Sequence, residues 1–282
     1  MDIKGWKYYN HAAIPATAPH ENPDITPVEN GDIWNIDGKT PLLARWTTEF
    51  DCGYETNWWY VVRQTPYSME DVSSKERKSI RQAVKKCYVK KVQLKDHIQQ
   101  LYDCYYSAFQ NYENIGKYGT YEQFEAWCVA ENETCDCWAG YDAESNRMIG
   151  YMTVLVYDDY AEIVTAKFMP EFLNRQVSDA LYHNVLDFYL NTCKKNYVSS
   201  GSRSISHITN TQQYKIRRFG YKKAYCRLHI AYNPKITILI KLVFPFRKIL
   251  FAFDGIHLIH QLNAVLRMEE IHRSKGYDLS HE

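Results

Sequence analysis

The order of helical and strand-like segments between residues 93 and 232 restricts the fold of this chain more than any other feature of its sequence. Two helical patterns come first, followed by three strand-like runs, a helix, a strand, a short helix and a final strand. In the first helix, apolar residues recur at helical spacing, at Ile98, Leu101, Tyr105 and Phe109. This order predicts an α/β (α+β) fold, with a mixed central sheet and helices on both of its faces.

Residues that begin or end elements support this segment order. Thr120, followed three residues later by Gln123, has the pattern of a capping box at the start of the second helix. Pro170 ends the third strand, and Gly220 stands where a glycine commonly terminates a helix. Apolar residues make up 45% of the 282 residues, which is enough for a sizeable core.

The region before this core, residues 1–92, contains three predicted parts. They are a proline-rich arm without a helix at residues 10–33, a β-hairpin of residues 42–50 and 56–63, and a basic helix from Ser73 or Ser74 to about Lys86. We expect residues 1–92 to join the sheet of the core at residues 93–234, and residues 235–282 to form a separate tail.

The tail, residues 235–282, predicts two amphipathic helices broken near Pro245. Its uncharged stretches are too short to span a membrane. Three placements are open: it packs on the domain, it binds a partner, or it lies on a membrane surface with Arg247 and Lys248 at the headgroups. The third placement predicts peripheral membrane contact.

Net charge and cysteine content limit the binding partners, the location and the metal content that we expect of this protein. The net charge of +1 implies no nucleic-acid or membrane partner by itself, so recognition has to come from local patches. The first residues lack the apolar core of a signal peptide, which predicts a cytoplasmic protein, or one peripheral to the inner membrane face, with reduced thiols. Cys135 and Cys137 have no second close pair, so we expect no metal.

Several segments resemble the GNAT N-acyltransferase superfamily. "RMIGYMTVLVYDD" is similar to its paired central strands, "KFMP" to the strand that ends in a Val-x-Pro corner, and "RRFGYKKAYCRL" to its closing turn. The front segment "SSKERKSIRQAVKKCYVKKV" resembles Fem-type peptidoglycan aminoacyltransferases at Lys75, Arg77, Ile80 and Ala83. Those enzymes use aminoacyl-tRNA as the donor, whereas GNAT enzymes use acyl-coenzyme A.

The resemblance implies a donor site at the loop after Pro170, although this loop lacks the central glycine of the GNAT pattern. In the family, backbone N–H groups at this helix start hold a pyrophosphate. Aligning the loop on its flanking anchors places Leu173, Gln176 and Ser178 at the pattern positions, whereas aligning it on charge places Arg175, Ser178 and Ala180 there. The implied donor-binding residues are Phe168, Met169, Arg175, Gln176, Val177 and Ser178. The expected donor is acetyl-CoA or another acyl-CoA, and the alternatives are aminoacyl-tRNA, a carrier-protein pantetheine or no donor.

The resemblance also implies catalytic roles. A backbone N–H of Phe168 or Met169 is the expected oxyanion donor, and Glu162 or His207 the expected base. Tyr214 is the expected acid, because the position of the family's tyrosine is occupied here by Ile216. Four arginines are expected to bind an anionic substrate: Arg77, Arg81, Arg203 and Arg227.

These expectations favour an N-acyltransferase that acts on an amine of an amino sugar or a cell-envelope precursor. The acceptor would be a small molecule or a lipid-linked amine. A Fem-type aminoacyltransferase that uses tRNA is the first alternative. A non-catalytic scaffold or membrane-surface binding protein is the second, because the motif tyrosine is missing and the tail is apolar.

Overall fold

A computed structural model describes residues 3–110, 119–205 and 210–274. The strands are β1 (Trp6–Tyr9), β2 (Ala12–Pro15), β3 (Leu43–Thr48), β4 (Trp58–Gln64), β5 (Cys87–Val92), β6 (Cys135–Asp142), β7 (Met148–Val156), β8 (Tyr160–Phe168), β9 (Tyr197–Ser202) and β10 (Lys222–Tyr232). The helices are α1 (Thr26–Glu29), α2 (Ser74–Lys86), α3 (Ile98–Phe109), α4 (Tyr121–Glu131), α5 (Val177–Leu186), α6 (Thr211–Phe219), α7 (Pro234–Val243), α8 (Arg247–Phe251) and α9 (His257–Arg273).

The chain divides into two compact units. The core unit comprises Val61–Gly201 and Asn210–Lys222, and the terminal unit comprises Met1–Tyr60, Ser202–Thr209 and Lys223–Glu282. In the core unit the strand order is β4-β9-β8-β7-β6-β5. Neighbouring strands from β5 to β8 are antiparallel, whereas β8 and β9 are parallel. The sheet is therefore mixed, as the segment order predicts.

Helices cover both faces of the core sheet. A Cβ atom added to Gly150 on β7 would lie 3.4 Å from Val177 of α5, so this residue faces α5. The next residue, Tyr151, lines a cavity together with Tyr105 of α3 and Phe124 of α4. Successive residues of a strand point to opposite faces, so α5 lies on one face and α3 with α4 on the other. The predicted fold class is confirmed.

Two glycines allow the start of α5 to lie directly on the sheet. A Cβ at Gly140 would lie 2.5 Å from Val177 Cγ2, and one at Gly150 would lie 2.9 Å from Phe168 Cδ1. A side chain at Gly140 would push the helix away from the strands, and one at Gly150 would clash with Phe168 of the neighbouring strand. The sequence therefore fixes the N-terminus of α5 against the end of β8, which is where the donor loop was predicted.

The predicted ends of several elements are confirmed. The Ser73 side chain accepts a hydrogen bond from the Glu76 amide at the start of α2. Thr120 and Gln123 form the complete capping box of α4. Gly220 ends α6 with a φ of 67°, a left-handed conformation that glycine adopts without strain. Local side-chain chemistry decided these boundaries.

The prediction that residues 42–50 and 56–63 pair with each other as a hairpin is wrong. Both strands exist, as β3 and β4, but the terminal unit has the order β1-β2-β3-β10-β4, and β3 pairs antiparallel with β10. A hairpin does exist earlier, between β1 and β2, where Asn10 and His11 have φ values of 45° and 62°. Two positive φ values match the strand twist in a two-residue turn.

The proline-rich arm contains one helical turn, α1, which corrects the expectation of no helix there. Pro27 lies in its first turn, where a missing N–H does no harm. In the tail, the 3-10 turn Phe244–Phe246 separates α7 from α8, so the predicted break near Pro245 is confirmed. The helix α9 then follows, so the described tail has three helices where two were predicted.

Candidate functional site

The two parallel strands of the core unit, β8 and β9, separate after Glu162 of β8. The register runs from Tyr160 opposite Tyr197 to Glu162 opposite Ser199, and no further pair joins β8 to β9. β8 itself continues to Phe168 and remains paired with β7. Beyond Glu162, the edge of β8 that faced β9 is therefore open to another group.

A bulge in β8 accounts for this separation. Val154 of β7 lies opposite Ile163, but its neighbour Thr153 lies opposite Thr165, so Val164 is an extra residue. An extra residue bends its strand and increases its local twist. The bend occurs two residues after the last pair with β9, which is where the strands diverge.

The amide of Phe168 points toward the open edge. The N–H of Met169 donates to the Ile149 carbonyl at 2.9 Å, so these two residues form a hydrogen-bonded pair. Opposed residues in antiparallel strands alternate between bonded and non-bonded pairs. Phe168, which lies opposite Gly150, therefore directs its N–H away from β7. Of the two predicted oxyanion donors, Phe168 has the suitable orientation, and Met169 is already engaged.

A small aromatic cavity lies on the α3 and α4 face of the sheet. Its volume is about 240 Å³, and its lining includes Tyr105, Phe109, Phe124, Trp127, Thr165 and Lys167. The Lys167 ammonium lies 4.2 Å from the centre of the Phe109 ring. Partial burial lowers the pKa of Lys167 below its usual value. The cavity can therefore hold a small group beside aromatic faces and one cation.

The bulge places Glu162 on the face that carries this cavity. Glu162 lies opposite Leu155, and Thr165 lies opposite Thr153. Leu155 and Thr153 are two residues apart and share a face, so Glu162 and Thr165 share it as well. In a regular strand, residues three apart would point to opposite faces. The predicted base thus lies on the same side as Thr165 and Lys167, partly buried.

A lysine of α6, Lys215, lies beside β9 and was not among the site residues predicted from the sequence. It is only 8% exposed, and its ammonium donates a hydrogen bond to Ser200 Oγ. Ser200 follows Ser199, the last residue paired with β8. Burial lowers the pKa of Lys215 to about 8. A sequence signal existed, because Lys215 precedes the buried Phe219 by four residues and so shares its helix face.

The N-terminus of α5 contains its own carboxylate. Asp179 is buried and accepts hydrogen bonds from Ser79 Oγ at 2.9 Å and from the Tyr214 hydroxyl. The Arg218 guanidinium lies 3.6 Å from the same carboxylate. Tyr214 also lies 3.2 Å from Ser178 Oγ. Burial, together with the neighbouring Asp179 charge, raises the pKa of Tyr214 far above its usual range.

The predicted donor loop is held by contacts within the protein. Arg175 pairs with Asp142 at 2.9 Å and also with Glu144. Gln176 has a φ of 63°, and its amide nitrogen donates to Ser79 Oγ at 2.9 Å. Its amide oxygen is buried and has no hydrogen-bond partner among the described residues. Val177 is fully buried. The Arg175 guanidinium, which was expected to bind a donor phosphate, is therefore already paired with two carboxylates.

The structure describes four of the five remaining predicted residues. Arg77 pairs with Glu70 at 3.2 Å and donates to the Val72 carbonyl, and Arg81 lies 3.7 Å from the same Glu70. Arg203 and Arg227 belong to the terminal unit, where Arg203 stacks on Trp59 and Arg227 pairs with Glu49 at 2.9 Å. The prediction for His207 lies outside the described residues. Both predicted substrate-binding pairs are thus engaged with neighbouring side chains.

Metal ligands and membrane-spanning helices are both absent from the described part of the chain. No group of three or more His, Cys, Asp or Glu is arranged there to hold a metal ion. Burial raises the pKa of the Cys135 thiol to about 11, which keeps it protonated. None of the helices described combines the length and apolar content that crossing a bilayer requires.

Comparisons with known proteins concern the fold alone, and they agree with the predicted mixed α/β sheet, with FemX among the similar structures. No family model and no curated protein matches the chain. The C-terminal domain (DUF2156) of a protein described as a lysylphosphatidylglycerol synthetase from Agrobacterium fabrum is similar in structure, with a TM-score of 0.51 and 11% identity, over 85% of this chain and 84% of that one. L-PGS from Bacillus licheniformis gives 0.51 and 9%, over 95% and 85%. FemX gives 0.50 and 6%, over 67% and 65%.

Proposed function

We propose that the protein is an acyltransferase that moves an acyl group from a carrier to an amine at the open edge of β8. The observation that carries this proposal is the Phe168 N–H, which points to the edge that β9 leaves uncovered. An amide in this position can donate to the acyl oxygen as negative charge develops on it. The resemblance to acyltransferases in the sequence supports the same reaction.

The residues along β8 and beside β9 can divide the proton transfers. Glu162, on the cavity face and about 20 Å along the strand from Phe168, receives the proton of the acceptor ammonium through intervening water. The free amine attacks the acyl carbon, a C–N bond forms, and the bond between the acyl carbon and the carrier breaks. Lys215, beside Ser200, gives a proton to the departing carrier and regains one from solvent. Tyr214 is less suited to this role, because its hydroxyl is directed at Asp179.

The cavity supports an acceptor that carries an anionic group near its amine. Aromatic side chains such as Trp127 and Phe124 can cover the apolar face of a sugar or a short chain. The Lys167 ammonium would attract a phosphate or carboxylate of the acceptor, and it would repel an acceptor that carries a second cationic group. We therefore favour an amine-bearing sugar or cell-envelope precursor, either small or lipid-linked.

The N-terminus of α5 favours an aminoacyl ester of tRNA over an acyl-CoA as the donor. A pyrophosphate at this position would approach the buried Asp179 carboxylate, and Arg175 is already paired with two acids. The negative charge of the Asp179 carboxylate would oppose the binding of a pyrophosphate beside it. An aminoacyl ester carries its phosphates on the polynucleotide, so its acyl group can reach the open edge without a pyrophosphate at α5. Acetyl-CoA and other acyl-CoAs are the alternative donors in the test.

The test measures loss of the acyl label from each donor, since the acceptor is not identified. Aminoacyl-tRNA and acyl-CoA, each labelled in the acyl group, are incubated with the protein and a panel of phosphate-bearing amines. We expect transfer from aminoacyl-tRNA, and a loss of about 10²- to 10⁴-fold in Glu162→Gln. The matched control is Glu125→Gln on the exposed surface of α4, which should keep full activity.

Three outcomes separate the candidate functions. Transfer from acyl-CoA alone would replace the tRNA donor with coenzyme A. Equal activity of Glu162→Gln and Glu125→Gln would remove Glu162 as the base. If no donor loses its label faster with the protein than without it, the scaffold alternative replaces the enzyme.

A further inference from the structure

The outer side of α7 and α8 is apolar and exposed, unlike the surface of an ordinary helix pair. The exposed large apolar residues of this segment are Ile238, Leu239, Leu242, Phe246, Ile249, Phe253 and Ile256. Leu242 is 66% exposed and Phe246 60% exposed. Burial of a core cannot account for side chains that remain in water. We call these seven residues the tail apolar face.

The tail apolar face runs along α7 as a stripe and continues beyond it. At 100° per residue, Ile238, Leu239 and Leu242 fall within an arc of about 100° on α7. Phe246 and Ile249 follow at spacings of four and three residues, at and after the 3-10 turn. Ile240, outside the arc on α7, and Phe244, in the turn, are buried. The segment is therefore amphipathic, with one apolar side packed inward and a second apolar side facing out.

The inward side is fixed within the terminal unit. Asn233 caps α7 and also donates to the Pro41 carbonyl at 3.2 Å. Arg247 pairs with Glu270 of α9 at 2.9 Å and stacks on Phe244 at 4.3 Å. Asn263 of α9 donates to the Leu250 carbonyl at 3.0 Å. These contacts anchor the start of α7 beside Pro41 and hold α8 against α9, so the outward stripe is a surface of the folded unit.

Between residues 234 and 253 every charged side chain is basic. No Asp or Glu occurs there, and Lys235, Lys241 and Lys248 are exposed. The carboxylate of Asp254, just beyond, pairs with Arg267 at 3.4 Å. Of the two residues that the sequence placed at the headgroups, Arg247 is paired with Glu270 and Lys248 is exposed.

We infer that the tail apolar face docks the protein on the surface of an anionic lipid bilayer. Apolar side chains flanked by lysines match the boundary between acyl chains and negatively charged headgroups. No described helix can cross a bilayer, so the contact is with the surface. A neutral protein groove would satisfy the apolar side chains but would leave the one-sided positive charge unexplained. This inference does not depend on the acyl-transfer reaction.

The test measures co-flotation of the full chain with vesicles of phosphatidylcholine, with or without 30 mol% phosphatidylglycerol. We expect binding to the anionic vesicles that weakens as salt rises from 0.1 to 0.5 M, because salt screens exposed charges. Leu242→Ser, Phe246→Ser and Ile249→Ser together should abolish it. The matched control changes three exposed apolar residues of the core unit to serine: Val84, Val129 and Val156.

A second pair of variants tests the lysines. Lys241→Gln with Lys248→Gln should weaken binding about 30-fold, given the usual contribution of each cation near an anionic surface. Lys78→Gln with Lys85→Gln makes the same charge change on the exposed side of the basic helix α2 and should leave binding unchanged. All four positions are exposed, so circular dichroism should show the same melting temperature for every variant.

Three results would overturn the inference. The first is no flotation of the unaltered protein at millimolar anionic lipid. The second is an equal loss of binding in the α2 pair, which would move the contact to the basic helix. The third is a dimer in gel filtration that the three tail serines convert to a monomer without any vesicle binding, because the tail apolar face would then join two copies of this chain.

Discussion

Two helices of equal length, α5 in the core unit and α7 in the terminal unit, place their apolar residues in opposite ways. α5 buries Val177, Ala180, Leu181, Val185 and Leu186. α7 has a higher share of large aliphatic residues but buries only Ile240. The same contrast holds for charge, since Lys215 in the core unit is buried whereas Lys241 in the tail is exposed.

This difference separates residues that stabilise the fold from residues available for binding. Apolar area removed from water stabilises the folded state by about 25 cal/mol for each Å². An exposed leucine in the tail contributes little to the stability of the folded state, so its presence needs another explanation. Conversely, a buried ion in the core destabilises the fold unless its partners compensate, so its retention points to a role at the site.

The largest expected effect is at the buried carboxylate of α5. Asp179→Ala removes the acceptor for Ser79 and Tyr214 and leaves Arg218 with fewer partners. We expect a loss of about 3–5 kcal/mol in the free energy of unfolding, as for other broken buried pairs. Urea unfolding measures it. A change below 1 kcal/mol would show that the network is not required for folding and would weaken the contrast with the tail.

The next comparison replaces one leucine in each helix. Leu181→Ala, at a fully buried position, should lower the free energy of unfolding by about 3 kcal/mol. Leu242→Ala, at a position 66% exposed, should change it by less than about 0.5 kcal/mol. Both values come from denaturant titrations of the full chain. Similar losses at both positions would mean that the tail apolar face is covered in solution.

The third comparison uses pH and the buried lysine. Lys215 has its pKa lowered from 10.5 to about 8 in the folded protein, so the unfolded state binds the proton more tightly. Stability therefore rises between about pH 8 and pH 10.5 through this group, and its penalty is fully present below pH 8. Lys215→Met should remove a destabilisation of about 3 kcal/mol at pH 7, an advantage that disappears by pH 10.5.

Lys241→Met, which makes the same substitution at an exposed position, is the control for this measurement. The difference in unfolding free energy between the unaltered protein and each variant is measured from pH 7 to pH 10.5. A flat difference for Lys215→Met would show that the ammonium is solvated in the folded state. The same variant should also abolish the fall in transfer rate above about pH 8, if Lys215 protonates the departing carrier.

The smallest expected effect concerns the start of α7. Asn233→Ala removes the side-chain acceptor of the Lys235 amide and the donor to the Pro41 carbonyl. Loss of such a cap lowers the free energy of unfolding by about 1 kcal/mol. Thr120→Ala, at the capping box of α4, is the matched variant in the core unit. A larger loss at Asn233 than at Thr120 would show that α7 depends on its cap because its outer face contributes nothing.

The site was predictable to different degrees from the sequence. Glu162 and Phe168 could be selected, because both lie on the strand that ends before Pro170, with Phe168 at that end. The choice between Phe168 and Met169 required the strand register, since only the pairing of Ile149 shows which amide is engaged. Lys215 was missed although its spacing of four residues from Phe219 places both on one face of α6, because only the packing of α6 beside Ser200 shows that this lysine is buried.

The sequence alone determined the order of the core elements from residue 93 to residue 232 and several of their ends, because helical spacing, capping side chains and glycines act over a few neighbouring residues. Thr120 with Gln123 and Gly220 are such cases. Tertiary structure decided how β3 and β4 pair, whether Glu162 faces the cavity, and which side of α7 remains in water. These depend on contacts between residues far apart in the chain, such as β3 with β10, whose free energy has no signature in any local stretch.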